Sequence, residues 1–191
     1  NIYDQINNKL NYTNKINKEI CVTIDKTLEK DTSNLFQYES AIINGKMEDI
    51  WGIIINCDKL STIAPNHDCF PSISFENLKV GDSVKIPYKL KDGKAMDLLI
   101  KLEERNDKPN WNKWLIVFSS FNVTQNNAPL HTVIIQLTKI SQNRHQLSVV
   151  TKFHLPTPCE IFKELSKRKK YTLASIKDYF ENFHFSNSNN I

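Results

Sequence analysis

The side chains that could carry chemistry in this sequence are few and scattered. Five histidines stand at positions 67, 131, 145, 154 and 184. His131 and His145 fall near the starts of strand-like segments, and His67 falls in a loop. His154 follows Phe153 on what reads as an outer strand face. None has a nucleophile or carboxylate partner at short range, so each is expected to be a surface or structural histidine. Cys21, Cys57, Cys69 and Cys159 are widely spaced and form no C-x-x-C pair. That spacing argues against a zinc site or a disulfide framework and for reduced thiols. Cys57 and Cys69 read as small buried apolar groups. Glu103-Glu104 beside Arg105 reads as a solvated hairpin end. No catalytic residue, metal or cofactor is expected. The strongest charge feature is Lys167-Arg168-Lys169-Lys170, flanked by Lys163 and Lys177. Its plain reading is a solvated helix face. Its sharper reading is transient contact with an anionic membrane surface, where each basic residue contributes about 1 kcal/mol.

The chain has 191 residues, 40% hydrophobic and 24% charged, with a net charge of +4. That is enough for one domain with a real core. The charge is too mild to imply nucleic acid. No apolar run approaches the about 18 residues that a membrane span needs. A cytoplasmic protein is expected. Because the chain opens on Asn1, its true N-terminus is expected upstream, which keeps secretion open. Sequons at Asn11 and Asn122 arise easily by chance in so Asn-rich a chain.

Residues 1–33 form a polar arm, expected to be partly helical. Ile2, Ile6 and Leu10 lie four apart, as do Ile16, Ile20, Ile24 and Leu28, the spacing of a narrow amphipathic stripe. A strand follows from Leu35, then an apolar helix from Lys46 to about Asn56. A second short helix runs from Asp58 to Ile63 and stops before Pro65. "SISFEN" reads as a short strand. Alternation then predicts strands over "SVKIPYKL", "MDLLIKLEE", "WNKWLIVFSSFNV", "LHTVIIQLTKI" and "HQLSVVTKFHL", joined by hairpin-length turns such as "KDGK". Such alternation means an antiparallel meander with one covered face. Thr157-Pro158-Cys159-Glu160 is a capping box. The long helix after it is apolar at Ile161, Phe162, Leu165, Leu173, Ile176, Tyr179, Phe180 and Phe183. "SNSNN" within residues 185–191 reads as a disordered tail.

The order of elements, and "YESAIINGKMEDIWGIIINCDKLSTIAPN", "FENLKVGDSVKI" and "YTLASIKDYFEN" within it, resembles the START-like or SRPBCC superfamily over residues 34–184. The resemblance implies an α+β helix-grip fold. Its curved antiparallel sheet of about six or seven strands wraps a long C-terminal helix, with two short helices after the first strand. It also implies an internal space for a lipid or other hydrophobic small molecule. By parity the strands would line it with Ile86, Tyr88, Leu98, Ile100, Val133, Ile135, Leu137, Val149, Thr151 and Phe153. The helix would add Leu173, Ile176, Tyr179 and Phe180. A solid core fits the same periodicity. A cyclase/aromatase-like or hydrolase-like enzyme on this fold would need a polar dyad, for instance Tyr88 or Thr151 with a histidine. An interaction adaptor would instead expose Trp111 and Trp114 as a patch.

Overall fold

Strict alternation over five successive segments leaves each strand with one face to cover, and hairpin turns force neighbours to pair. In the structure, a computed structural model, residues 35–65, 74–89, 95–123, 128–155, 157 and 159–188 are described. The 1–33 arm lies outside them. Six strands form one antiparallel sheet: β1 (Leu35–Asn44), β2 (Ser83–Lys89), β3 (Ala95–Asn106), β4 (Lys113–Asn122), β5 (Ala128–Ser141) and β6 (Arg144–Phe153). The order across it is β1-β6-β5-β4-β3-β2. Strands β2 to β6 are the expected meander, and β1 closes onto its far edge. Between β1 and β2 come α1 (Met47–Ile54) and α2 (Cys57–Ile63), and α3 (Cys159–Ser188) follows β6. This is an α+β helix-grip arrangement.

Parity fixes what faces inward. Gln37 pairs with Thr151 and Thr151 with Val133. Glu39 pairs with Val149 and Val149 with Ile135. Register shifts interrupt the β3–β4, β4–β5 and β5–β6 ladders. Such irregularities bend strands and add twist, which lets the sheet curl around one helix. That helix meets it through Phe162, Ser166, Lys169, Leu173, Ile176 and Phe180, all buried. Their four–three spacing is a single helical stripe.

Helix α1 plugs one end of the grip. Ile50, Trp51, Ile53 and Ile54 are buried in the same core cluster as Leu173, Ile176 and Phe180. Glu48 and Asp49 lie in its first turn, where negative charge complements the helix dipole. Helix α2 is capped by Asn56, whose side chain accepts from the Lys59 amide at 3.0 Å. The Trp51 indole donates to Asp107 at 3.0 Å, and Arg105 donates to the same carboxylate oxygen at 2.8 Å. Arg105 also donates to the Phe75 and Leu78 carbonyls. Burial raises the Asp107 pKa. The hydrogen bonds from Arg105 and Trp51, with the Arg105 charge, outweigh it and leave the carboxyl below its usual range.

Four expectations are corrected. Residues 74–80 of the "SISFEN" region form turns, not a strand. The Phe75 amide donates to the Ile55 carbonyl and Arg105 takes carbonyls on the same segment, so its backbone groups are used away from any ladder. Tyr179 is exposed, because Ile176 and Phe180 occupy the seam and Tyr179 falls about 100° away from Phe180. Trp114 is buried while Trp111 is exposed, so the two do not form a surface patch. Finally, α3 runs on to Ser188, past the start of the expected loose tail. In the capping box, the Thr157 hydroxyl donates to the Leu155 carbonyl at 3.2 Å.

Gly45 marks the closest approach of β1's end to α3. A Cβ there would stand 2.7 Å from Cδ1 of Phe180, whereas a Cβ on Gly52 in α1 would meet nothing within 4 Å. Gly45→Ala should therefore cost about 1–3 kcal/mol by overpacking a buried ring. Gly52→Ala should be neutral or stabilise by up to about 1 kcal/mol. Urea denaturation of the two variants checks this, and equal effects would refute it.

Candidate functional site

The inner face of the sheet is mainly apolar; Ser120 and Asn122 on β4 and His145 on β6 are buried polar side chains on it, and a further polar group gathers where α3 crosses β1 and β6. At that level the helix stripe carries Ser166 and Lys169 in place of apolar residues, and β1 turns Gln37 and Glu39 inward. Thr151 on β6 completes the layer. Gln37 is 0% and Lys169 2% exposed. The Lys169 amino group donates to Gln37 Oε1 and to Thr151 Oγ1, each at 2.6 Å. Gln37 Nε2 donates to the Phe162 carbonyl at 2.7 Å. Ser166 Oγ donates to Glu39 Oε1 at 2.6 Å, and Lys170 stands 4.0 Å from that oxygen at the rim.

Apolar groups bound the layer on both sides. Towards the chain-start end of β1, Phe153 and Phe162 pack with Leu35 and Leu165. Towards the other end lies the main core, with Ile135, Leu147, Val149, Leu173 and Ile176. The Lys169 nitrogen sits 5.9 Å from the Phe153 ring centroid, within cation–π range. His131 meets the same ring edge-on at 4.9 Å. Burial first, then the charges of Lys169 and His154, pushes the His131 pKa down to about 4. His131 is therefore neutral near pH 7.

Most residues expected on the inner face are there. Ile100, Val133, Ile135, Leu137, Val149, Leu173, Ile176 and Phe180 are buried in the main core, and Thr151 and Phe153 are buried beside it. Ile86 packs half-buried against that core, and Leu98 opposite it is half-buried. The Tyr88 side chain lies outside the described residues. Of the four basic residues expected at a membrane, Lys167 and Lys170 are exposed. Arg168 is half-buried and donates to Glu164 at 3.1 Å. Lys169 is corrected to an interior residue, because the four–three seam passes through it. His154 lies on the other face, 2.7 Å from Thr132; burial and Lys152 lower its pKa. His145 is buried, and burial lowers its pKa as well. No histidine contact to Thr151 appears among the described residues' hydrogen bonds. Gln37, Glu39, Ser166 and His131 were not expected in an interior site. The stripe spacing on α3 places Ser166 with Lys169, and the parity of β1 places Gln37 with Glu39, but neither shows that the two pairs meet.

No family model and no curated protein matches the sequence. Solved structures do. The hypothetical protein jhp0584 of Helicobacter pylori matches with a TM-score of 0.56 at 11% identity, covering 81% of this chain and 93% of that one. Ara h 8.0201 matches with a TM-score of 0.53 at 13% identity, covering 78% and 98%. Protein Ms6760 of Mycobacterium smegmatis matches with a TM-score of 0.52 at 13% identity, covering 82% and 97%. At these identities the likeness shows the fold alone, a helix-grip fold.

The polar layer makes two measurable demands. Lys169→Met leaves Gln37 Oε1 and Thr151 Oγ1 without their donor, and should cost about 2–4 kcal/mol. Adding Gln37→Leu and Thr151→Val should recover most of that loss, as seen by urea denaturation of the single and triple variants. His131 is protonated near 6.5 when unfolded and near 4 when folded. Between those values the unfolded state binds more protons, so its contribution is complete above pH 6.5 and shrinks as pH falls towards 4. The loss is at most about 3 kcal/mol. His131→Gln should flatten the fall in stability between about pH 7 and about pH 4.5; an unchanged slope would remove His131 as its source.

Proposed function

We propose that the protein binds a lipid or other hydrophobic small molecule between the sheet and α3, with the Gln37–Thr151–Lys169 layer as its polar anchor. The observation that carries this reading is the layer itself. Ligand sites are lined mainly by apolar side chains with a few placed polar groups that set orientation. A buried amine, an amide and a hydroxyl converging in a grip lined mainly by apolar side chains have that composition. An apolar body would lie along Ile86, Leu98, Ile100 and Val133, with an oxygen-bearing end towards Lys169. The fold shared with Ara h 8.0201 is compatible with this role and does not assign it.

The inner residues also pack against one another, so a ligand would have to move side chains aside. Native mass spectrometry of the purified protein, and of protein incubated with a fatty-acid panel, tests the reading. The expected result is a retained or added mass that disappears in Ile100→Trp, which fills the path while remaining apolar. Protein that takes up no ligand, with unchanged inner-face methyl NMR signals, would overturn it.

A carrier role adds one surface. Lys163, Lys167 and Lys170 are exposed and lie at i, i+4 and i+7 on α3, one basic stripe that flanks the buried seam. Among the described residues no helix is long and apolar enough to cross a membrane, so contact would be peripheral. Changing all three to Gln should remove about 3 kcal/mol of attraction to vesicles rich in phosphatidylserine. Cosedimentation with such vesicles at low and high salt reads this out, and salt-insensitive binding would count against the stripe.

A further inference from the structure

The outer face of the sheet is not the wet surface that alternation predicts. Tyr38, Val150, Ile134 and Val117 stand in one row across β1, β6, β5 and β4, each paired with the next. With Leu115 and Phe36 they form a second apolar cluster, and every member of it is a strand residue. Leu115, Val117, Ile134 and Val150 are only 5–8% exposed. The described helices contribute their buried side chains to the other face instead.

We propose that residues 1–34 of this chain dock on that outer face as an amphipathic segment, giving the sheet a covered surface on both sides. The arm enters at the right place: it joins Leu35, at the start of the edge strand that supplies Phe36 and Tyr38 to the cluster. It has the matching chemistry. Ile16, Ile20, Ile24 and Leu28 recur every fourth residue, one apolar stripe if helical. The dimensions agree. Four strands span three gaps of about 4.8 Å, a row about 14 Å wide, and a helix with its side chains is about 10–12 Å across. Residues 16–28 as a helix are about 20 Å long, shorter than the strands they would cross. The polar link Glu29-Lys30-Asp31-Thr32-Ser33-Asn34 reaches at most about 20 Å, enough to turn back over β6 and β5. The arm is also charge-balanced, with five lysines at 9, 15, 18, 26 and 30 against five acids at 4, 19, 25, 29 and 31. It therefore meets no net repulsion from the basic domain.

The test is methyl NMR on the full chain, with its oligomeric state measured by light scattering in the same buffer. Docking predicts NOE cross-peaks from methyl groups of Ile20 and Ile24 to those of Val117, Ile134 and Val150 in a monomer. It also predicts loss of those peaks in Ile20→Gln/Ile24→Gln, with the inner-face methyls of Ile135 and Val149 unmoved. Three results would overturn it. One is a full chain without such cross-peaks. Another is peaks that appear only between differently labelled molecules, which makes a second copy the occupant. The last is a double variant whose outer-face signals do not shift. Hydroxyl-radical labelling of Phe36 and Tyr38 is a second measurement on the same proteins, expected to rise in the double variant.

Discussion

An amine held at 2% exposure inside an apolar grip constrains everything near it. The Lys169 side chain starts on α3, yet its acceptors Gln37 and Thr151 come from two different strands, β1 and β6. Those acceptors, Gln37 and Thr151, are cross-strand partners. A slip of β1 by one residue would turn Phe36 and Tyr38 inward and take Gln37 out of reach, since side chains alternate with a period of two. A rotation of α3 by one residue would carry Lys169 about 100° off the seam. Gln37 also holds the Phe162 carbonyl, which fixes the helix along its axis. Sheet register, helix rotation and helix translation are therefore set by one hydrogen-bonded group. An apolar contact in the same place would tolerate more than one arrangement, because hydrophobic attraction has no direction.

The same logic operates at the opposite end of the domain through a different set of atoms. There the Asp107 carboxylate, just past the end of β3, receives Trp51 from α1 and Arg105 from β3. Arg105 in turn holds the turns at 74–80 by their carbonyls. The plug helix, the β3–β4 end and the segment leading to β2 are thus tied together beside the apolar core, while Trp51 packs edge-on against Trp114 at 6.0 Å. Apolar area supplies the bulk of the stability. These two polar clusters decide which arrangement that area adopts.

What the sequence made legible follows from that division. The strands, the meander, the two short helices and the long last helix were all readable, because period and turn chemistry are local. Inner-face membership of Ile86, Leu98, Ile100 and the β5–β6 set up to Phe153 was readable for the same reason. The polar layer was not, since binary patterning assigns Gln37, Glu39 and Lys169 to solvent by residue type. Only the joint placement of β1, β6 and α3 shows that they face one another. Lys169 was hidden further by its neighbours: in "KRKK" three of the four basic residues do lie outside the seam. Tyr179 failed for the opposite reason. It is apolar enough to belong inside, but Ile176 and Phe180 already occupy the stripe, and adjacent helical positions cannot share it.

The packing of the inner face is uneven, and the unevenness bears on where an apolar molecule would enter. Ile135, Leu137, Leu147 and Val149, on β5 and β6, are at most 1% exposed. On the meander's other edge Val84, Ile86 and Leu98 are only half-buried. The helix seam lies over β1 and β6, and β2 is the strand farthest from it. Displacing side chains under α3 breaks both apolar contact and the Lys169 bonds. Displacing those near β2 breaks much less. The lower-cost route therefore runs from the β2–β3 edge inward along Leu98 and Ile100, with the polar layer at its far end. A molecule that is apolar along its length and carries an acceptor oxygen at one end matches that gradient. That path is not uniformly apolar: Ser120 and Asn122 on β4, paired with Ile100 and Leu98, are buried beside it, so a polar group carried at their level would meet hydrogen-bonding side chains, whereas one left unpaired elsewhere would cost about 1–3 kcal/mol.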